Sequence, residues 1–127
     1  MKHINYFHVC RIEAVMKGSN LGELEELILL TVGILYPDAY GVAVMDEVAK
    51  NTGRQLNISA VHAVLTRLED KGYVRSSMSD PTTARGGRRK RIFTLTAAGS
   101  RALEEANEVR NQLFNRIPKV AFQFQWV

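Results

Sequence analysis

The stretch from Asn57 to Gly72, NISAVHAVLTRLEDKG, constrains the fold more than any other part of the chain. At ~100° per residue, Ile58, Val61, Val64, Leu65 and Leu68 gather on one side of a helix. Ser59, Ala63, Thr66 and Asp70 lie opposite, with His62 and Arg67 on the flanks. Asn57 is placed to accept from an unpaired N–H of the first turn, and Gly72 is a natural stop. One face is built for burial. The other is short-chained and polar, suited to close approach to something flat or grooved.

Two helical segments precede it. Asn20 followed by Glu23 reads as a capping-box start, and Glu23, Glu25 and Glu26 complement the positive end of the helix dipole. Leu24, Leu27, Ile28, Thr31 and Leu35 then recur at helical spacing until Pro37 and Asp38 break the run. Tyr40 and Gly41 open a second helix with Val44, Met45 and Val48 inward, closed by Thr52-Gly53. A turn over residues 53–56 joins it to the third, a helix-turn-helix pattern. Tyr40 reads as a core aromatic holding the turn, and the acids of both helices need no catalytic role.

The segment C-terminal to the third helix narrows the choice. Residues 73–78 and 91–96 have strand propensity, while SDPTTARGGRRK between them contains Pro81, Gly86 and Gly87 and cannot be regular. Five of the seven residues from Arg85 to Arg91 are basic, a cluster suited to a polyanion. Two strands joined by a long basic loop form a wing. Thr96 then caps a fourth helix carrying Leu103, Ala106, Leu113 and Ile117 along a broken stripe, and Pro118 stops it. Beyond, Val120, Phe122, Phe124 and Trp126 alternate with Ala121, Gln123 and Gln125, a period-two pattern that predicts an extended tail.

The fold expected is mainly α with a small β-hairpin, a winged helix-turn-helix plus a C-terminal helix. Its parts are an N-terminal extension over 1–17, the DNA-binding domain over 18–96, the C-terminal helix over 97–117 and a tail over 118–127. A fold this small is marginal alone and gains from burial against a second copy. Cys10 is the only cysteine, so no internal disulfide forms, and the N-terminal residues lack the apolar run of a signal peptide. A cytoplasmic protein is expected. His3, His8 and Cys10 match no zinc spacing, and neither a metal nor another cofactor is expected.

Three pieces carry a resemblance: AYG opening the second helix, LTRLEDKGYV ending the third, and GGRRKRIFTLTAAG. With them, residues 18–106 resemble the PadR-type transcriptional regulators. The resemblance implies a homodimer, generally a repressor, on a palindromic operator with helix three in the major groove. The chain resembles the short subgroup, which lacks the large C-terminal domain of longer members and in which one C-terminal helix, here 97–117, is the dimerisation helix. That gives Leu103, Ala106, Leu113 and Ile117 a partner-facing role; the plainer alternative is packing on the first helix of the same subunit. The chain departs from the family at His62, where a tyrosine is common. His62 either donates to a phosphate or base edge, or packs partly buried against the wing.

The division of labour then comes from chemistry. Arg85, Arg88, Arg89, Lys90 and Arg91 would neutralise phosphates or enter the minor groove. Ser59, His62, Ala63 and Thr66 would reach base edges or nearby phosphates, and Arg67 would reach a phosphate or pair with an acid, as would Lys71. Related regulators respond to aromatic ligands, and Tyr36, Phe114, Phe122 and Trp126 are the candidates to hold a small aromatic effector. The rival from another class is a winged-helix module that docks a protein partner through the same surface. An enzyme is not expected, because no phosphate loop and no nucleophile–base pair is present.

Overall fold

The computed structural model describes residues 21–80 and 89–126. Helix α1 spans Glu23–Leu35, α2 Gly41–Thr52 and α3 Ile58–Asp70; strands β1 (Val74–Met78) and β2 (Arg91–Leu95) come next, then α4 (Ala97–Asn115) and a 3-10 helix, Lys119–Trp126. The strands form an antiparallel hairpin whose register pairs Val74 with Leu95 and Met78 with Arg91. The wing base is closed by Ser79 N–H donating to the Lys90 carbonyl at 2.7 Å. Ala39 adds a one-residue bridge to Phe93, so the stem between α1 and α2 lies along the free edge of β2.

The core sits where α1, α2 and α3 meet and the hairpin covers them. Ile28, Leu29 and Val32 of α1, Val44 and Val48 of α2, and Val61, Leu65 and Leu68 of α3 are all buried to within 1% of complete. Burying each such side chain contributes about 1.5–3 kcal/mol. The apolar stripe read in α3 is therefore the face that anchors it. Leu29 and Val32, absent from the expected α1 stripe, are as deeply buried as Ile28. Thr31, also buried, donates to the Leu27 carbonyl at 2.7 Å, so its hydroxyl is satisfied within the helix.

The ends of α3 follow from local chemistry. Asn57 Oδ1 accepts from Ala60 N–H at 2.7 Å. At the other end Gly72 N–H donates to Glu69 and Tyr73 N–H to Leu68, both at 2.9 Å. That pair of bonds needs the left-handed φ of 79° that Gly72 adopts. Gly53 closes α2 in the same region, at φ 74°. Thr96 caps α4: its Oγ1 accepts from Gly99 N–H at 3.0 Å and donates to the Gly72 carbonyl at 2.6 Å. One threonine thus joins the start of α4 to the end of α3.

Four expectations need correction. The start of α1 is capped by Gly22 and not by Asn20, which lies outside the described residues. Gly22 has no side chain to offer, but its N–H donates to Glu25 Oε1 at 2.9 Å, half of a capping box. Second, the acids of this turn do more than complement a dipole, because Glu25 and Glu26 are buried. Third, the tail is a 3-10 helix and not extended: Pro118 leads into it, Ala121 N–H donates to its carbonyl at 2.9 Å, and the turn brings Phe122 to 5.9 Å from Phe114, ring centre to ring centre. Fourth, α4 ends at Asn115 with Arg116 as its cap, two residues earlier than expected.

Candidate nucleic-acid interface

On α3 the residues opposite the core are Ser59, His62, Ala63 and Thr66, and all four are exposed. His62 is exposed and not partly buried. Its ring lies over the start of α2, where a Cβ built on Gly41 would stand 2.8 Å from Cε1 and 3.0 Å from Nε2. Gly41 is buried, so the glycine of AYG makes room for the imidazole of the next helix. The candidate face therefore runs from α3 onto the first turn of α2.

The cations around this face divide into held and outward groups. Arg67 Nε donates to Glu25 Oε2 at 3.4 Å, and Lys71 Nζ to Glu25 Oε1 at 2.8 Å. Arg91 Nη2 donates to Glu69 Oε1 at 2.9 Å, and its Nε to Ser76 Oγ at 3.1 Å; that serine in turn donates to Glu69 Oε2 at 2.7 Å. Arg91 thus ties the wing to α3. Arg54 pairs with Glu23 at 2.9 Å. Lys90 Nζ lies 3.7 Å from the centre of the Tyr40 ring, a cation–π contact between the wing and the cap of α2. Arg89 is exposed, while Arg85 and Arg88 lie outside the described residues.

Two participants have only weak sequence signals. Glu25 is one acid among three at a helix start, although Arg67 and Lys71, four apart on one side of α3, are both candidates to pair with an acid. Tyr40, expected as a core aromatic holding the turn, is half-buried and carries Lys90 on its ring. Burial pushes the Glu25 carboxyl up. The hydrogen bond from Lys71, the Gly22 N–H, the Lys71 charge and Arg67 outweigh that and hold it below the ordinary carboxylate value.

The residues expected on a dimer face separate. Leu103 packs on the core of its own subunit and Ala106 is half-buried. Leu113 and Ile117 are 57% and 41% exposed, continued by Phe114, Val120 and Phe122 at 40–62%. Arg110 lies 2.7 Å from Glu26 Oε1, an ion pair without hydrogen-bond alignment that ties α4 to α1. Of the aromatic effector candidates, Tyr36 lines an open apolar cleft of about 310 Å³ with Val32, Gly33, Thr94 and Leu95, whereas Phe114 and Phe122 pack on each other. Among the described residues no group of three or more His, Cys, Asp or Glu is arranged to hold a metal, and no helix is long and apolar enough to cross a membrane. His3, His8 and Cys10 lie outside the described residues.

Comparison with known proteins places this arrangement. Among curated protein sequences none matches. A PadR-like transcription factor structure from Bacteroides fragilis superposes with a TM-score of 0.64 at 20% identity, covering 84% of this chain and 94% of that one. A PadR-like regulator from Bacillus cereus gives 0.61 at 16% identity, with coverages of 81% and 91%. Bacillus subtilis PadR, solved in complex with operator DNA, gives 0.55 at 20% identity over 65% of this chain and 45% of that one. At these identities the likeness is one of fold. Membership rests on sequence: the model of the transcriptional regulator PadR-like family matches residues 28–105, well over half of the length. The chain belongs to the PadR-like family of transcriptional regulators.

Proposed function

We propose that the protein is a sequence-specific DNA-binding transcriptional regulator, acting as a homodimeric repressor on a palindromic operator. The observation that carries this reading is the exposed face of α3. Ser59, His62, Ala63 and Thr66 form a surface of small or flat side chains beside a hairpin whose loop holds the basic cluster. Short side chains let a helix sit deep in a major groove, and a basic wing neutralises the phosphates alongside. The solved complex of Bacillus subtilis PadR with operator DNA supports carrying the interaction to this chain.

Dimerisation is proposed through the exposed apolar end of α4 and the 3-10 helix. Leu113, Phe114, Ile117, Val120 and Phe122 fall within residues 113–122 and are each 40–62% exposed in one subunit. Uncovered apolar surface of that kind marks an interaction site. A two-fold dimer would present two copies of α3 about one helical turn apart, ~34 Å, which is what a palindrome requires. Release by a small aromatic ligand at the cleft beside Tyr36 would be the regulatory arm of the same proposal.

Selection of bound duplexes from random DNA tests the function directly. A palindromic consensus is expected. Failure to retain any duplex at low salt, with retention of a protein partner through the same face, would favour the interaction-module alternative.

A further inference from the structure

We propose that Glu25 is a positioning residue of the reading surface, holding Arg67 and Lys71 of α3 to α1 and so withdrawing two cations from sequence-independent attraction to DNA. The proposal rests on the DNA-binding reading above. Its geometry is uneven in a telling way. The Glu25 side chain is 9% exposed, whereas that of Arg67 is 56% exposed and that of Lys71 32%. The acid is underneath and the cations reach down to it.

A helix dipole alone does not explain this placement. Glu23 complements the same dipole from solvent, 75% exposed and paired with Arg54. Burying a carboxylate has a desolvation cost that a dipole contact at the surface does not incur. What makes Glu25 tenable is that both oxygens are occupied: Oε1 by Lys71 Nζ and Gly22 N–H, Oε2 by Arg67 Nε. Arg67 sits one turn beyond Ala63 on the helix that would enter the groove, and Lys71 caps that helix.

The consequence concerns affinity that carries no sequence information. A free lysine or arginine that neutralises a phosphate adds about 0.9 to the slope of log K against log salt. A cation already matched by a buried carboxylate only exchanges one anion for another and adds much less. Glu25 therefore suppresses attraction to any duplex while leaving Ser59, His62, Ala63 and Thr66 to discriminate.

The test measures binding of the full chain to a random duplex from 50 to 200 mM salt by fluorescence anisotropy. Glu25→Gln is expected to steepen the salt slope by about one, equal to roughly fourfold tighter binding at the low-salt end relative to the high. Glu25→Asp, which keeps the charge, is expected to retain the native slope. Arg67→Ala, a largely exposed position that leaves folding intact, is expected to change the slope by well under 0.9 in the native background but by about 0.9 when combined with Glu25→Gln. A Glu25→Gln slope equal to or shallower than the native one overturns the proposal. If that variant does not fold, Arg67→Ala decides alone: a full 0.9 loss in the native background overturns it, and a smaller one supports it. A native protein with no salt-dependent binding overturns the DNA reading and this inference together; native binding with an unmoved Glu25→Gln slope overturns only this inference.

Discussion

Replacing Gly99 by alanine should destabilise the protein even though the change improves intrinsic helix propensity. Gly99 is buried in the first turn of α4, where a Cβ would be driven into the carbonyl oxygen of Tyr73. That oxygen cannot yield cheaply. It accepts from Thr96 N–H at 3.1 Å, and Tyr73 N–H is committed to Leu68 in the closing turn of α3. Helix propensity favours alanine by about 1 kcal/mol. Against this stand overpacking, at about 1–3 kcal/mol, and a displaced Thr96 cap, at about 1 kcal/mol. The expected net loss is about 1–3 kcal/mol, a drop in Tm on the order of 10 °C for a domain of this size. Thermal unfolding by circular dichroism at one fixed protein concentration measures it, because a dimer's Tm depends on concentration. Gly41→Ala is the internal control: its Cβ would meet the exposed His62 ring, which can turn aside, so stability should change by less than about 1 kcal/mol. If Gly99→Ala melts at or above the native temperature, the close packing of α4 on the Tyr73 backbone is wrong.

Leu65→Ala, at a fully buried position, should cost about 2–5 kcal/mol in urea unfolding, and a value under about 1 would contradict its place in the core. Phe114→Glu should leave the melting of the secondary structure cooperative while shifting sedimentation from dimer to monomer; an unchanged dimer would move the interface elsewhere. Glu25 has a folded pKa below its ordinary value of 4.5, so its contribution is full above about that pH and lost as pH falls through the lower folded value. Acid titration of stability should therefore fall less steeply below pH 4.5 in Glu25→Gln than in the native protein. An identical acid limb in the two would mean that the carboxylate is not held by Lys71 and Arg67. Arg91→Ala, whose guanidinium is already bonded to Glu69 and Ser76, should weaken binding to random duplex less than Arg89→Ala does; the reverse order would return Arg91 to the phosphate-binding set.

The features legible in the sequence are local. The α3 stripe, the Asn57 and Thr96 caps and the Gly72 stop each depend on residues close in the chain, and the structure has all of them. The start of α1 is ambiguous because Asn20/Glu23 and Gly22/Glu25 have the same three-residue spacing, and only the structure chooses between them. The role of Glu25 is out of reach of sequence, since its partners lie 42 and 46 positions away and helix spacing says nothing about which acid turns inward. The bridge from Ala39 to Phe93 is one residue long and has no period to detect. In the tail, alternating Phe and Gln suggests a strand, whereas the segment after Pro118 turns back on itself by 3-10 bonding.

The charge balance gives the pairing pattern a meaning that no single contact has. The chain holds 17 basic and 13 acidic residues, and no acid falls between Pro81 and Lys90. The four basic residues of that loop, Arg85, Arg88, Arg89 and Lys90, equal the entire net charge of +4; the remaining thirteen match the thirteen acids. The pairs on and around α3, Glu25 with Arg67 and Lys71 and Glu69 with Arg91, are the local form of that balance. A uniform basic face would draw α3 onto any duplex in any register. On the proposed function, confining the excess to one stretch of sequence lets long-range attraction orient the encounter through the wing. On that same proposal the fit of α3 to a groove is decided at contact range, by Ser59, His62, Ala63 and Thr66.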